Sequence, residues 1–530
     1  MKDVLLYLKP NVVVEPLVDS WYAWAHLIPP ATAARNITER HLRIMDSYSA
    51  SPEAHAAAVK NPKLLGGPFM DLEGNQVEAV SELREQTKRD RGALLELSKA
   101  IEDLDHTLQA KAQGYDIVPL YSEIPEPLRG YVELVYDLNN HPSFRLLEPL
   151  LYGSRYYDRS MQSLMLSTVT GDNRPFVLST PRFENCRNVH LRIPFDSAQV
   201  DELFQLKTKP ATFQQIRDRL ELTEKNAERF RAFLTEEPPQ RYQPYQGNGA
   251  RWRYFGHACI LLETKGLSIL LDPVLSYTYE SDISRYTYKD LPETIDYVLI
   301  THNHQDHILF ETLLQLRHKI RTVVVPRNSG GALHDPSLRL TLKNCGFRNV
   351  IEMSEMDEVE LPAGSITAIP FFGEHGDLNV QTKTAYLVQL NGHSVLFAAD
   401  SRNIAPQTYA HVHEMTGDVE VLFLGMECDG APMSWIYGPL LTSKMERKMD
   451  QSRRLSGSNY EQGIRLVEQF GCKDVYVYAM GQEPWLNYVM SIKYTEQSNP
   501  IIQSNLLIEE CRRRGLVAER LFGEKEILLP

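Results

Sequence analysis

Apolar and polar positions alternate in short blocks through the second half of this chain. Compact apolar runs bounded by turn-forming residues are typical of buried strands. Polar, helix-favouring stretches separate several of these runs, and Asn391-Gly392 is a strong hairpin signal. The alternation predicts an α/β domain. Strands are predicted at residues 252–262, 267–271, 296–301, 322–325, 366–369, 384–390, 393–398, 419–424 and 475–479, and helices at residues 336–344 and 500–514.

The first half of the chain mixes strand and helix patterns less regularly. A mostly charged stretch with leucines partly at helical spacing predicts a long amphipathic helix that is either continuous or broken once. Gly171-Asp172-Asn173 has the composition of a hairpin turn between two short strand patterns. The patterns predict helices at residues 81–112, 196–206 and 212–235, with N-caps at Asp196 and Thr212, and hairpin strands at residues 164–170 and 176–180.

A linker separates the two halves. Residues 236–249 contain three prolines and two glycines among polar residues, a composition typical of a loop. A chain of 530 residues is too long for one ordinary core. We therefore expect a separate mixed α/β domain at residues 1–235 and a second domain at residues 250–530. The first half has no nucleotide-binding glycine loop and no metal-spaced cluster, so docking or oligomerisation is its expected role.

Composition and charge restrict the class of protein. Apolar and charged contents of 43% and 24% are typical of a soluble globular protein. The net charge of −13 argues against a nucleic-acid surface and does not support an anionic membrane partner. Six scattered cysteines predict reduced thiols rather than a disulfide framework. Because neither a signal peptide nor a membrane-spanning segment is recognisable, we expect a cytoplasmic enzyme.

The clearest chemical signal is the stretch Thr-His-Asn-His-Gln-Asp-His at residues 301–307. It follows a predicted strand and precedes a helical pattern, and α/β sheets bind ligands at such strand ends. Alternate residues of an extended loop point the same way, so His302 and His304 can share one ion. Asp306 and His307 can then face a second ion about 3.5–4 Å away. A chance cluster of histidines in a solvated loop is the weaker interpretation.

The H-x-H-x-D-H pattern resembles the signature of the metallo-β-lactamase superfamily, which implies an αββα sandwich from about residue 252 onward. In that superfamily a third histidine ligand follows a glycine. This chain has Glu374 directly after Gly373, with His375 next to it, so either side chain can be the ligand and the spacing favours Glu374. The resemblance also implies that Asp400 bridges the ions, because one carboxylate can bind one oxygen to each.

The same resemblance implies residues that support the metal ligands. In relatives an aspartate at a strand end orients a ligand histidine, and Asp272 has this position, although a turn-forming Asp-Pro explains it equally well. His257 recurs in relatives, where we expect it to support ligands rather than bind metal, and His375 has this role if Glu374 is the ligand. Glu427 and Asp429 are candidates to neutralise a substrate ammonium group, with a solvated or capping carboxylate as the simpler interpretation.

The implied ligand set is unusually rich in oxygen. It has three imidazoles and three carboxylates, and the chain has no histidine after His413 to supply the late ligand of related hydrolases. Oxygen-rich mixed sites suit iron or manganese. Three carboxylates also offset the charge of an oxidised di-iron pair, whereas a di-zinc pair would acidify a bridging water and promote hydrolysis.

These departures resemble the di-iron β-hydroxylases of non-ribosomal peptide and chloramphenicol biosynthesis over the full chain. That family shares the histidine loop, the glutamate, the strand-end aspartate and a large N-terminal domain associated with dimerisation. The resemblance implies two iron ions, oxo-bridged when oxidised, with Glu374 and Asp400 as catalytic ligands, oxygen as co-substrate and an external electron donor. It implies a homodimer that hydroxylates the β-carbon of an amino acid such as L-p-aminophenylalanine, held as a thioester on a carrier domain.

Two other functional classes stay open at this point. The main alternative is a di-zinc hydrolase of the same fold that cleaves an ester, lactone or phosphodiester. A non-catalytic binding module is disfavoured, because degenerate members should lose ligands. Residues 444–454 carry five basic and two acidic side chains, which predicts either a docking patch for an acidic carrier domain or an ordinary solvated segment.

Overall fold

The second half of the chain is a sandwich of two seven-stranded sheets. The structure, a computed structural model, describes residues 4–530, and it confirms the predicted αββα architecture. The first sheet has the strand order Val350–Met353, Ile320–Pro326, Ile295–Leu299, Leu267–Leu271, Ile260–Thr264, Ala250–Tyr254 and Lys525–Leu529. The second has the order Glu358–Leu361, Gly364–Ile369, Ala385–Leu390, His393–Phe397, Val421–Gly425, Asp474–Tyr478 and Val517–Arg520.

Each sheet is antiparallel on one side and parallel on the other. In the first sheet, Leu267–Leu271 pairs in parallel with Ile295–Leu299. In the second, Val421–Gly425 lies in parallel between His393–Phe397 and Asp474–Tyr478. Parallel neighbours end at the same edge of a sheet, so the loops that follow them are brought together there.

Apolar side chains fill the space between the two sheets, where Trp252, Tyr386, Phe423 and Tyr476 are buried. A further cluster covers the outer face of the second sheet with residues from three helices. No helix in the described part of the chain is long and apolar enough to cross a membrane. The helices of this half are Phe310–Leu316, Leu338–Asn344, Pro406–Thr416, Ser434–Tyr437, Arg447–Ser452, Tyr460–Phe470, Asn487–Met490 and Asn499–Arg513, with 3₁₀ turns at Tyr288–Asp290, Arg317–Lys319, Gly438–Leu440 and Pro484–Leu486.

The first half contains three small sheets and a set of short helices. The four-stranded sheet has the order Trp21–Tyr22, Val12–Val18, Gln162–Thr168 and Val189–Leu191. The three-stranded sheet has the order Ala211–Thr212, Leu5–Leu8 and Leu234–Thr235. The two-stranded sheet pairs Val132–Tyr136 with Pro142–Leu146. Its helices are Pro30–Asn36, the π-helix Ile37–His41, Leu42–Ala50, Pro52–Ala58, Val77–Asp90, Gly92–Lys111, Glu148–Tyr152, Ala198–Gln205, Phe213–Arg219 and Glu224–Phe230, with 3₁₀ turns at Pro62–Leu64, Val118–Glu123, Glu126–Leu128, Arg159–Met161 and Arg231–Phe233.

The two halves share one continuous core. Buried residues of the first half, such as Val12 and Leu97, belong to the same apolar cluster as Val298 and Leu313 of the second half. Residues 236–249, the predicted linker, are described throughout and form neither helix nor strand. The first half therefore packs directly against the sandwich and shares an apolar core with it.

Two local predictions are correct, and a third is wrong in position. The helix predicted at residues 81–112 is broken once, at Arg91 between Val77–Asp90 and Gly92–Lys111. Thr212 caps its helix through a capping box with Gln215. The predicted cap at Asp196 is displaced by one residue, because Ser197 accepts the backbone hydrogen bond.

Three predicted elements are wrong. Residues 176–180 form a loop, because Gln162–Thr168 pairs instead with the distant strands Val12–Val18 and Val189–Leu191. The helix predicted at 212–235 is interrupted, because Glu221 has a φ of 51° and Thr223 caps a new helix. The strand predicted at 252–262 is two strands, since Gly256 and His257, with φ of 110° and 51°, reverse the chain between them.

A buried ion-pair cluster joins the two halves beneath the metal-binding motif. Arg174 donates to Glu15 on the strand Val12–Val18 at 2.7 Å and to Glu311 on the helix after the motif at 2.7 and 3.0 Å. Arg182 also donates to Glu15, at 3.0 Å. Burial alone would raise the pKa of Glu15, but Arg182 and Arg174 outweigh it and lower that pKa from 4.5 to about 2.

We expect Arg174→Met to lower the urea midpoint of unfolding strongly, because it leaves the buried Glu311 carboxylate without its cation. Removing one partner of a buried pair typically costs roughly 3–5 kcal/mol. Arg321→Met is the control, since Arg321 pairs with Asp296 on the surface and is 69% exposed. The contribution of the Glu15 pairs is fully present above pH 4.5 and should be lost as the pH falls towards 2. Equal midpoints for the two variants would show that the cluster does not hold the halves together.

Candidate metal centre

The predicted motif lies in a buried loop directly after the strand Ile295–Leu299. The backbone N–H groups of His307 and Ile308 both donate to the carbonyl of His304, at 3.1 and 3.0 Å, so the loop turns tightly before the next helix. This turn points three imidazoles and one carboxylate into one space. His302 and His307, with ring centroids 4.0 Å apart, lie at its centre.

One group of possible ligands contains His302, His304 and Glu374, all buried. His304 Nδ1 lies 3.1 Å from Glu374 Oε1. His302 Nδ1 lies 3.0 Å from the Thr301 hydroxyl, which leaves Nε2 free to bind an ion. The geometry therefore supports the predicted assignment of these three residues to one ion.

Asp400 and Asp306 both lie within ligand distance of His307. Asp400 forms a second group with His302 and His307, and its Oδ2 lies 3.0 Å from His307 Nε2. Asp306 forms a third group with His307 and His257. Asp400 thus lies between the first group and the third, as the predicted bridging role requires.

Asp272 orients His307 from behind. Its Oδ2 lies 2.8 Å from His307 Nδ1 and also accepts a 2.6 Å hydrogen bond from the Thr301 hydroxyl. Its Oδ1 accepts from the Thr301 backbone N–H at 2.8 Å. A carboxylate in this position fixes the tautomer and ring orientation of a ligand histidine. This contact supports the orienting role over the simple turn.

His257 and His375 differ in their relation to the cluster. His257 Nε2 lies 3.1 Å from Asp306 Oδ2, which suits the expected supporting role, and the ring also lies within ligand distance of His307. His375 Nδ1 donates to the Gly373 carbonyl at 3.3 Å, and the ring is tilted by 35° against His304 with centroids 4.5 Å apart. Among the described residues, His375 is in none of the three ligand groups, which favours Glu374 as the metal ligand.

Four of the thirteen non-glycine residues with positive φ in the described part of the chain lie at this site. His257, Asp272, Glu374 and Ala399 have φ values of 51°, 35°, 65° and 47°, which are unfavourable for residues with a Cβ atom. Each is a candidate site residue or directly precedes one. Strained backbone persists where the surrounding structure fixes it and is frequent at functional sites.

The electrostatics of the site favour bound cations. Burial lowers the pKa of His302 well below its usual value, and the neighbouring His307 lowers it further, so the imidazole is neutral and able to bind metal. Burial, then Asp400 and Glu427, raise the pKa of Glu374. Burial, then Asp400 and Asp306, raise the pKa of Glu427 to about 8. Burial opposes the charged forms of His307 and Asp306, but Asp400 and Asp306 outweigh it and raise the pKa of His307, which in turn lowers the pKa of Asp306. The protein alone therefore compensates only part of the mutual repulsion of these carboxylates.

Several buried polar atoms of residues 4–530 lack a hydrogen-bond partner, and some of them belong to the ligand groups. His302 Nε2 and Asp400 Oδ1 make no hydrogen bond, although buried polar atoms are nearly always paired. Both belong to the ligand groups. Together with the crowded carboxylates, these free donor atoms fit a dinuclear metal centre.

The centre opens into a cavity of about 380 Å³ built by both halves of the chain. His304, Asp306, Glu374, Asp400 and Glu427 line one side. The rest of the lining is mostly apolar and forms the apolar wall of the cavity, which includes Leu64, Leu65, Phe69, Trp435, Ile436 and Met490. Asp429, the other acidic candidate, is exposed and lies 3.9 Å from Arg454 rather than in the cavity.

Sequence reasoning missed the contribution of the first half to this cavity. The loop at residues 63–69 forms part of its wall. Gly66-Gly67 marks a turn in the sequence, but a local turn signal does not show which distant surface the turn contacts. Tyr437 was also missed, although its hydroxyl lies 3.5 Å from His304 Nε2.

The sandwich and its buried cluster define a protein of the metallo-β-lactamase fold with a two-metal centre. Residues 7–238 match the family model described as the diiron non-heme beta-hydroxylase N-terminal domain. Residues 268–457 match the beta-lactamase superfamily domain. Together the matches cover most of both halves.

Full-length relatives specify the family. The chain is 39% identical, over 529 residues, to the 4-amino-L-phenylalanyl-[CmlP-peptidyl-carrier-protein] 3-hydroxylase of Streptomyces venezuelae, covering 98% of this chain and 99% of the relative. It superposes on the crystal structure of CmlA, a diiron beta-hydroxylase from Streptomyces venezuelae, with a TM-score of 0.94 and 38% identity over 100% of both chains. The chain belongs to this family of CmlA-like di-iron β-hydroxylases and is a non-haem monooxygenase that uses two iron ions.

Hydrolases of the superfamily are similar over much less of the chain. A metal-dependent hydrolase from Rhizobium johnstonii is 40% identical over 55 residues, which is 10% of this chain and 23% of the relative. The hydroxylase similarity spans both halves, so it outweighs the di-zinc hydrolase alternative.

The choice between Glu374 and His375 can be tested by substitution. We expect Glu374→Ala to lose one iron ion or its reactivity with oxygen, because it removes a buried donor atom beside His304. His375→Ala should keep the di-iron absorption spectrum, since a residue that only supports ligands typically costs about 10–100-fold in affinity or activity. Iron content and the visible spectrum of both purified variants provide the measurement, and the reverse pattern would exchange the two roles.

Proposed function

We propose that this enzyme hydroxylates the β-carbon of an aromatic amino acid held as a thioester on the carrier domain of a non-ribosomal peptide synthetase. The observation that carries the proposal is the cavity built by both halves of the chain, whose lining combines the histidine–carboxylate cluster with the apolar wall. Such a wall suits an aromatic ring. The substrate in the name of the Streptomyces relative, a carrier-bound 4-amino-L-phenylalanyl group, has this chemistry.

We propose the six predicted ligands for the two ions. His302, His304 and Glu374 would bind one ion, Asp306 and His307 the other, and Asp400 both. When bound, the iron ions supply the oxygen-activating redox chemistry that oxidation of a C–H bond requires. The proposed domain organisation is an accessory domain at residues 1–235, a linker at 236–249 and the metal-binding domain at 250–530.

The protein's own side chains would position the ligands and the substrate. Asp272 accepts from Thr301 and holds the ring of His307, which keeps Nε2 facing Asp400. The apolar wall would pack against the substrate ring and exclude water. Glu427 would accept hydrogen bonds from the α-ammonium group, whose positive charge favours the carboxylate form of this buried acid.

The partner and the setting of the reaction are also part of the proposal. We infer a homodimer, as the family resemblance of the first half implies. We infer a cytoplasmic location, which is supported by the six cysteines, all of them described and all free. The electrons would come from an external donor.

The proposal predicts the metal and the reaction together. Protein grown with iron and zinc both available should contain iron near two ions per chain. It should add one oxygen atom to 4-amino-L-phenylalanine on a carrier domain, and free 4-amino-L-phenylalanine should react much more slowly. Elemental analysis and intact mass of the carrier are the measurements. Stoichiometric zinc with ester or lactone hydrolysis would contradict the proposal.

Glu427 and Asp429 offer a matched pair of variants. We expect Glu427→Gln to lower kcat/KM for the carrier-bound substrate about 10–100-fold, because hydrogen bonds to charged groups contribute about 1.5–3 kcal/mol. Asp429→Asn should have little effect, since this exposed carboxylate lies beside Arg454 outside the cavity. The assay should include the deaminated substrate, 3-(4-aminophenyl)propionyl-carrier, for which Glu427→Gln should make little difference. Equal losses on both substrates would assign Glu427 to the metal centre instead.

A further inference from the structure

The metal cavity continues outward between the two halves of the chain. A second cavity of about 660 Å³ shares Gly66, Phe69, Pro432 and Trp435 with the metal cavity. A third cavity, of about 450 Å³, shares Glu39, Arg43, Ser434 and Asp450 with the second. The three cavities therefore adjoin one another in a row from the metal centre to the surface, and we call this row the groove.

Both halves contribute walls along the whole groove. The first half supplies the helix Leu42–Ala50, the end of the π-helix Ile37–His41 and the loop at residues 66–69. The second half supplies residues between 432 and 451. A groove between two packed layers can bind a narrow, extended ligand along its length.

The outer end of the groove is rich in exposed cations. Four cations and three acids line the third cavity, namely Arg35, Arg43, Lys444 and Arg447 with Glu39, Glu102 and Asp450. The side chain of Arg43 is 71% exposed and pairs with Glu39. Lys448 is exposed on the same short helix as Arg447. This local charge stands out in a chain of net charge −13, and a local positive patch attracts an anionic partner.

The basic segment at residues 444–454 is only partly available to a partner. Arg453 donates to the Gly376 carbonyl at 2.7 Å. Arg454 donates to the Asp429 carbonyl at 3.4 Å. These two arginines hold the segment in place, so Lys444, Arg447 and Lys448 form its free part.

Trp435 lies where the metal cavity meets the second cavity. Its indole N–H donates to the Gly66 carbonyl at 2.8 Å, and its ring stacks on Phe176 with centroids 6.2 Å apart. Because Trp435 lines both the metal cavity and the second cavity, a ligand that reaches the metal centre along this groove must pass beside it.

We propose that the groove binds the phosphopantetheinyl arm of the carrier domain. The phosphate would lie between Arg43 and Arg447, the amide-bearing chain would lie in the second cavity, and the thioester would pass Trp435 into the metal cavity. The acidic face of the carrier domain would contact Lys444 and Lys448. This assignment rests on the proposed function, since it takes its ligand from there. The phosphodiester at one end matches the cations of the third cavity, and the aromatic ring of the aminoacyl group at the other end matches the apolar wall of the metal cavity.

The test uses the double variant Arg43→Glu with Arg447→Glu, and Arg89→Glu as its control. Arg89 lies in the same half as Arg43, is 70% exposed and likewise pairs with a nearby acid, Asp90. The substrates are 4-amino-L-phenylalanine on the CmlP carrier and the same amino acid as a pantetheine thioester, which lacks the phosphate and the protein. Iron content of each variant verifies that the fold and centre are intact.

The ratio compared is kcat/KM for the carrier substrate divided by kcat/KM for the pantetheine substrate. We expect the double variant to lower this ratio about tenfold, because it loses the two exposed ion pairs of Arg43 and Arg447 with the phosphate. Arg89→Glu should leave this ratio unchanged. Binding of carriers without an amino acid supplies a readout that does not need turnover. Wild-type protein should bind the phosphopantetheinylated carrier more tightly than the unmodified one, and the double variant should lose this preference.

The results distinguish a failure of the groove assignment from a failure of the proposed function. If wild-type enzyme oxidises neither substrate, the proposed function fails. If wild-type enzyme oxidises the carrier substrate and the double variant keeps the wild-type ratio at low ionic strength, the groove assignment is overturned. An equal loss on both substrates would also overturn it, because the arginines would then act on the metal centre rather than on the arm.

Discussion

Repulsion among buried carboxylates is the constraint on which the site depends. Asp306, Glu374, Asp400 and Glu427 border one small cavity, and burial together with their neighbours raises the pKa values of Glu374 and Glu427. The imidazoles beside them include the neutral, deeply buried His302. Two cations would convert this repulsion into attraction, because each would lie among several negative oxygens in a medium of low dielectric constant. Loops from both sheets of the sandwich would then be held together by the metal.

The first half of the chain completes this site rather than accompanying it. Its loop at residues 63–69 lines the metal cavity, and Arg174 ties its central strand to Glu311 on the helix that follows the metal motif. A shared core means that the two halves support each other's position. A change that loosens the interface between the halves should therefore also change the shape of the metal cavity. The first half thus contributes to substrate binding although it supplies no metal ligand.

Much of the sandwich could be predicted from the sequence, because buried strands keep a local apolar pattern and the H-x-H-x-D-H spacing carries its own coordination geometry. The strand predicted at 252–262 failed because Phe255, Ala258 and Cys259 are buried in the turn and continue the apolar pattern across it. The proximity of His257 to Asp306, and of residues 63–69 to the metal cavity, arises from contacts between distant segments. Local periodicity contains no information about such contacts, so these features required the three-dimensional structure.

Anomalous diffraction from crystals of the iron-loaded protein tests the central claim most directly. Data collected on both sides of the iron edge and of the zinc edge would locate and identify each ion. We expect two iron peaks about 3.5–4 Å apart, one beside His302, His304 and Glu374 and the other beside Asp306 and His307, with Asp400 between them. A single peak, a zinc signal at either position, or a peak coordinated by His375 in place of Glu374 would contradict this assignment.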